Sequence, residues 1–244
     1  MIGNKSPAVA IITATLNCEG VIHRLAHSLK NQSDQDFEWV ICDGCSVDDT
    51  LKIVQGCNMP QVRILSREDF GIYDALNYAI QNIQSKYYVV AGADDSFAHD
   101  AIKLFKQSLI FSPEMAVHAF SVFKGGQVIS SSSKPAWLIG HKALVAEHSV
   151  ATLFHRDLHE LYGYYSHDFS IAADHDFIIR CWYNSVQFIR RSEVVGDYGL
   201  QGVSNQKSLL AATQSFAVQS QYFLRLPQLV LFVIRAVRIF LRRS

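Results

Sequence analysis

Four short apolar runs alternate with helical stripes through the first 110 residues, and this leaves the chain few folds to adopt. The runs cover residues 8–14, 37–42, 62–65 and 87–91. Each is strand-length and bounded by polar residues, the pattern of strands buried on both faces. Between the first two, Val21, Ile22, Leu25, Ala26 and Leu29 recur at helical spacing. Residues 48–55 form a shorter stripe, and Ile72, Ala75, Leu76, Ala79, Ile80 and Ile83 form a cleaner one. Strand and helix in alternation require right-handed crossovers and predict an α/β fold with a mainly parallel central sheet. Ligands of such sheets bind beyond the carboxyl ends of the strands. The polar clusters of this chain fall there: Thr13-Ala14-Thr15, Asp43-Gly44, residues 66–71 and Asp94-Asp95.

The middle of the chain reads differently. Residues 116–130 suggest strands joined by a hairpin at Gly125-Gly126, and 149–154 suggest another strand. A short helix is expected over 156–162 and a longer one over 171–183, with acids at its start. From Ser208 the pattern is helical again. In 227–244, Arg235, Arg238 and Arg242 share one helical face and apolar residues cover most of the rest. A basic amphipathic helix of this kind suits an anionic membrane surface; a core or dimer helix with solvated arginines is the alternative. The expected organisation is a main unit over 1–205, made of a first half (1–110) and a second half (111–205). A C-terminal amphipathic helical extension follows over 206–244. No run reaches about 18 apolar residues, so no ordinary membrane-spanning helix is expected. The apolar run at 8–16 reads as a first buried strand rather than a signal-peptide core.

Composition narrows the functional classes. Basic and acidic residues number 22 each, so nothing suggests a nucleic-acid partner. Cys18, Cys42, Cys45, Cys57 and Cys181 are scattered and odd in number, which favours a reducing cytosol over a disulfide framework. Cys42 and Cys45 form a C-x-x-C, but no second pair exists to complete a zinc site. The pairs His23/His27 and His155/His159 lack the Glu of H-E-x-x-H. No G-x-G-x-x-G follows the first strand, which argues against a dehydrogenase.

The acids are more telling. Asp94 and Asp95 end an apolar strand, where adjacent carboxylates are costly without partners. Hard divalent cations, Mg²⁺ or Mn²⁺, are the usual partners of such oxygens. A metal there could hold a diphosphate and help it leave. Asp174-His175-Asp176 is a second acidic cluster. Together they suggest metal-assisted group transfer from a nucleotide-activated donor.

These residues also carry a resemblance. Cys42-Asp43-Gly44-Cys45-Ser46-Val47-Asp48-Asp49-Thr50 looks like D-G-x-S-x-D-x-T. Residues 66–77 resemble S-E-x-D-x-G-I-Y-D-A-x-N, Gly92-Ala93-Asp94-Asp95 stands at a D-x-D position, and Ala173-Asp174-His175-Asp176 stands where E-D-x-D is common. In this order and spacing the motifs resemble the family 2 glycosyltransferases, the bacterial polysaccharide-building kind with a Rossmann-like GT-A fold. The resemblance covers roughly residues 8–203 and implies that 1–205 is a catalytic domain, with 1–110 the nucleotide-binding half and 111–205 the acceptor half. It implies Asp95 as metal ligand, Asp94 beside it at the ribose or metal, and Asp174 as general base of an inverting transfer. Asp43 is expected to accept a hydrogen bond from the base, with uracil favoured, unless it serves an Asx-turn instead. Thr13 and Thr15 should line the same pocket, and Asp69, Gly71 and Asp74 should border the nucleoside and sugar. His148 and Asp176 are candidates for contact with acceptor or diphosphate.

Three positions depart from the pattern: Gly92 replaces the first acid of D-x-D, Ala173 replaces the Glu of E-D-x-D, and Arg67 replaces an acid. The implied activity moves a sugar from a nucleotide-sugar donor, a UDP-sugar for preference, to a lipid-linked or glycan acceptor. The implied location is cytoplasmic, peripheral on the inner face of the membrane. A non-catalytic nucleotide-sugar or glycan binder remains an alternative. A sugar nucleotidyltransferase is another, although its glycine-rich phosphate loop is missing after the first strand.

Overall fold

The computed structural model describes residues 6–147, 149–199 and 208–241. His148, Arg242 and Arg243 lie outside the described residues. The first half follows the expected alternation: β1 (Val9–Thr15), α1 (Ile22–Lys30), β2 (Phe37–Asp43), α2 (Thr50–Gly56), β3 (Val62–Ser66), α3 (Ile72–Asn82) and β4 (Tyr87–Val90). Then come β5 (Ser96–Phe97), α4 (Ala101–Leu109) and the hairpin β6 (Val117–Lys124) and β7 (Gln127–Ile129). Gly125 and Gly126 make its turn at φ 56° and 80°, where glycine carries no Cβ penalty. The remainder is α5 (Ala136–Ile139), a 3-10 turn (Gly140–Ala143), β8 (Thr152–His155), α6 (Leu158–Tyr162), α7 (Ala173–Tyr183), β9 (Phe188–Asp197), α8 (Ser208–Tyr222) and α9 (Arg225–Leu241).

One sheet runs in the order β3-β2-β1-β4-β8-β6-β9-β5, with β7 hydrogen-bonded to β6. Strands β3, β2, β1 and β4 are mutually parallel, as their crossover helices require. Beyond β4 the sheet is mixed: β8 is antiparallel to both β4 and β6, β6 and β9 are parallel, and β5 is antiparallel to β9. The parallel expectation therefore describes the first half of the sheet. Strand β1 is buried along its length, because helices cover both faces. On one face Ile11 and Trp39 pack with Leu25 of α1 and Phe105 of α4. On the other, Val40 and Tyr88 pack with Leu76 of α3 and Phe177 of α7.

Helix α9 begins at Arg225, two residues before the expected start. Pro227 sits in its first turn, where no N–H is missed. Its inner face docks on the molecule: Phe232 lies 5.2 Å from the Phe216 ring of α8. Gln228 Nε2 donates to Trp137 O at 2.7 Å and Arg235 donates to Leu138 O at 2.9 Å. Its outer face is apolar and exposed through Leu226, Val230, Val233, Val237, Phe240 and Leu241. Among the described residues no helix is long and apolar enough to cross a membrane.

Candidate active site

The carboxyl ends of the parallel strands bring the first cluster together. The register places Thr15 beside Asp43 and Asp43 beside Ser66. Asp43 is fully buried and its carboxylate collects local donors. Thr15 Oγ1 donates at 3.0 Å, Ser46 N–H at 2.8 Å and Ser66 Oγ at 3.3 Å, and the Ser46 hydroxyl donates as well. Asp43 thus ties down the turn that follows β2, accepting from the backbone three residues on. Thr13 lies two residues before Thr15 on the same face of β1, where its buried hydroxyl accepts the Trp39 indole N–H at 3.1 Å. Its hydroxyl is thus engaged by Trp39, while that of Thr15 reaches Asp43.

Gly44 follows the turn, and a Cβ there would meet Asp69 Oδ2 at 2.7 Å. The missing side chain lets the second motif fold over the first. Asp69 accepts the Gly71 N–H at 2.9 Å, and Gly71 has φ 118°, a glycine conformation that opens α3. Arg67, the replaced acid, pairs with Asp74 at 2.6 Å and lies 4.3 Å over the Tyr78 ring. It therefore neutralises Asp74 at this rim. Cys42 is buried and its thiol is pushed up to about 11, while Cys45 is exposed; both are free. A thiol raised in this way stays protonated near neutral pH.

Asp95 is 1% exposed. Its carboxylate accepts the N–H of Gly92 at 2.6 Å and of Gly199 at 2.7 Å. Burial lifts its pKa to about 7, against the pull of those two donors, and neighbouring Asp94 adds to the rise. Gly92 has a packing reason: a Cβ there would lie 3.1 Å from both Asp94 Oδ1 and Asp95 Oδ2. Asp94 is half-buried and borders a cavity of about 390 Å³ shared with Arg24, Asp197, Tyr198 and Gly199. Among the described residues, none of the other expected site residues lines that cavity. Among the described residues no group of three or more His, Cys, Asp and Glu could hold a metal by itself. The donor set present nevertheless suits a hard cation: carboxylate oxygens, one of them buried where its charge is costly.

Asp174 stands in the first turn of α7, where the helix dipole favours an anion. The Tyr73 hydroxyl lies 2.7 Å from Asp174 Oδ1 and 2.7 Å from Ile171 O. His175 Nε2 is 3.9 Å from Asp174 Oδ2, and the His175 ring stacks on His141 at 3.5 Å. Ala173 is fully buried in the core, so the missing Glu is replaced by packing. Asp176 points elsewhere: it is buried, accepts the Tyr222 hydroxyl at 3.0 Å and lies 3.4 Å from Arg180. It ties α7 to α8. The expected contact at His148 falls outside the described residues. Tyr73 was not singled out for a role by sequence reasoning, although it lies inside the 66–77 motif. Gln214, which binds the turn before α7, had no sequence signal at all.

Comparisons with known proteins agree with this fold. A PGL/p-HBAD biosynthesis glycosyltransferase of Mycobacterium tuberculosis is 29% identical over 250 residues, covering 98% of this chain and 91% of the relative. Chondroitin synthase of Escherichia coli is 38% identical over 102 residues, 41% of this chain and 15% of that protein. Among solved structures, S. aureus TarS 1-349 in complex with UDP-GlcNAc superposes with a TM-score of 0.70 at 18% identity. That match covers 86% of this chain and 64% of the solved one. A mannosyltransferase from Pyrobaculum calidifontis, in complex with GDP-Man and Mn²⁺, gives 0.69 at 18% identity, over 90% of this chain and 66% of that one. At such identities the structures show the shared fold, and the chain spans just under two thirds of each. The family model for glycosyl transferase family 2 matches residues 10–152, more than half of the 244 residues, and the chain belongs to that family.

Proposed function

We propose that the protein is an inverting, metal-dependent glycosyltransferase that takes a sugar from a nucleoside-diphosphate donor, UDP-sugars being favoured, and delivers it to a lipid-linked or glycan acceptor. The observation that carries this reading is the pairing of two acidic stations. Asp94 and Asp95 close β4, and Asp174 is presented at the start of α7 by the Tyr73 hydroxyl. Solved neighbours that hold UDP-GlcNAc, or GDP-Man with Mn²⁺, support a nucleotide-sugar donor and a divalent ion.

Asp95, with Asp94 beside it, would hold Mg²⁺ or Mn²⁺. When bound, the ion supplies Lewis-acid neutralisation of the departing diphosphate. Asp174 takes the proton of the acceptor hydroxyl as that oxygen attacks the anomeric carbon, and the bond to the diphosphate breaks with its electron pair. One in-line displacement inverts the configuration. General-base assistance contributes about 10²- to 10⁴-fold. Asp43, Thr15 and Ser46 shape the rim at which the base would sit, and Asp69, Gly71 and Asp74 form its neighbouring wall. The outer face of α9 would rest on an anionic membrane at the cytoplasmic side. There a lipid-linked acceptor is within reach of a protein that does not span the bilayer.

The test is binding and turnover of UDP-N-acetylglucosamine, UDP-glucose and GDP-mannose with Mn²⁺ or with chelator, followed by NMR of the product's anomeric configuration. Metal-dependent turnover with inverted product supports the reading. A retained configuration removes the single-displacement mechanism. Metal-dependent binding without any turnover favours instead a nucleotide-sugar binding protein, the reading for which Ala173 and Gly92 leave room.

A further inference from the structure

The C-terminal helix α8 reaches the turn that carries Asp174. Ala172, just ahead of α7, has no side-chain oxygen, so this helix start has no cap of its own. Gln214 of α8 supplies an acceptor from outside. Its Oε1 accepts the N–H of Ile171 at 2.8 Å and of Ala172 at 3.1 Å, while its Nε2 donates to Ser170 Oγ at 3.0 Å. One amide thus holds three successive residues. From the other side the Tyr73 hydroxyl reaches Ile171 O and Asp174 Oδ1. Around this clamp Val218 of α8 packs with Ala172 and Ile179, and Tyr222 donates to Asp176.

We infer that Gln214 is a positioning residue: it fixes the backbone of the turn so that Asp174 keeps its aim at the acceptor hydroxyl. It acts through the turn and touches no reactant. The inference rests on the reading of Asp174 as the general base. Its consequence is that the C-terminal helices belong to the catalytic machinery as well as to any membrane contact. Gln214 suits the task because two backbone N–H groups need one acceptor there. Glutamate retains that acceptor, whereas leucine keeps only the bulk.

The experiment compares wild type, Gln214→Leu, Gln214→Glu and Asp174→Asn, using whichever of UDP-N-acetylglucosamine, UDP-glucose and GDP-mannose wild type turns over fastest with Mn²⁺. In Gln214→Leu, kcat should fall about 10- to 100-fold, the scale of a 1 Å misplacement, with donor KM within about twofold. Gln214→Glu should return kcat to within about threefold of wild type, because its carboxylate accepts both N–H groups. Amide exchange should quicken over residues 170–176 in Gln214→Leu and nowhere else. Wild-type kcat in Gln214→Leu overturns the inference, and so does a Gln214→Glu enzyme as slow as Gln214→Leu. Loss of donor binding with exchange quickened throughout α7 and α8 also overturns it, in favour of a structural role. Full turnover in Asp174→Asn would strike the base assignment itself, a failure visible separately from the two Gln214 variants.

Discussion

Asp43 is the side chain on which the cluster at the ends of β1 to β3 is built, and its cost of removal follows from its partners. Thr15, Ser46 and Ser66 all donate to it inside the fold. Asp43→Ala would leave buried donors without acceptors, at about 1–3 kcal/mol for each group left unsatisfied. A stability loss of about 2–4 kcal/mol is expected in denaturant melts, and a loss under about 0.5 kcal/mol would contradict this account of the turn. His118 sets a pH dependence. It is fully buried in β6 with its Nε2 2.9 Å from Ser112 Oγ, and burial, reinforced by Arg191, lowers its pKa from 6.5 to about 4. The unfolded chain therefore takes up this proton near 6.5 and the folded one only near 4. Stability contributed above pH 6.5 is lost as pH falls through that window, by up to about 1.4 kcal/mol per pH unit. His155, also lowered by burial, acts in the same direction. His118→Asn should flatten the slope of stability between pH 6.5 and 4, and an unchanged slope would mean that His118 does not titrate this way.

Helix α9 shows what amphipathicity does at the scale of an element. Gln228, Phe232 and Arg235 face the protein, while Leu226, Val230, Val233 and Val237 face outward. Arg225 and Arg238 are exposed near the borders of that outer stripe, the arrangement of a helix lying in a membrane interface. Val233→Glu with Val237→Glu changes only exposed positions, so folding should be kept. Co-sedimentation with phosphatidylglycerol vesicles should fall at least about tenfold, since each buried CH₂ is worth about 0.8 kcal/mol. Equal sedimentation of the variant would return α9 to packing or assembly. The elements also show where sequence is legible. Helices α1 and α3 and strands β1 to β4 were readable because each buries a regular stripe or run. Strand β9 was not: Arg190, Arg191 and Glu193 interrupt its apolar residues, and only pairing with β6 and β5 makes it a strand. Strand β5, two residues long, has no pattern to read.

In the whole molecule, a parallel half-sheet and a mixed half-sheet meet at β4 and β8; Asp94 and Asp95 follow β4, and Asp174 stands in the first turn of α7. The acidic pair at β4 was legible because carboxylates at a strand end need a reason. Asp174 was legible through its motif and its helix. The support of Asp174 was not, since Tyr73 lies 101 residues away in sequence and Gln214 bonds across 42 and 43 residues. Such contacts leave no local periodicity. The Trp39 indole on the Thr13 hydroxyl was not legible either, since it joins neighbouring strands across 26 residues. The proposed mechanism divides the labour between Asp95, which would hold the ion and diphosphate, and Asp174, which would move the proton. The most direct test measures donor affinity and turnover side by side in Asp95→Ala and Asp174→Asn, with Mn²⁺ and the best nucleotide sugar. The prediction is metal-dependent affinity lost in Asp95→Ala, with Asp174→Asn binding donor as wild type does and turning over about 10²- to 10⁴-fold more slowly. Unchanged metal-dependent binding in Asp95→Ala, or unchanged turnover in Asp174→Asn, would contradict it.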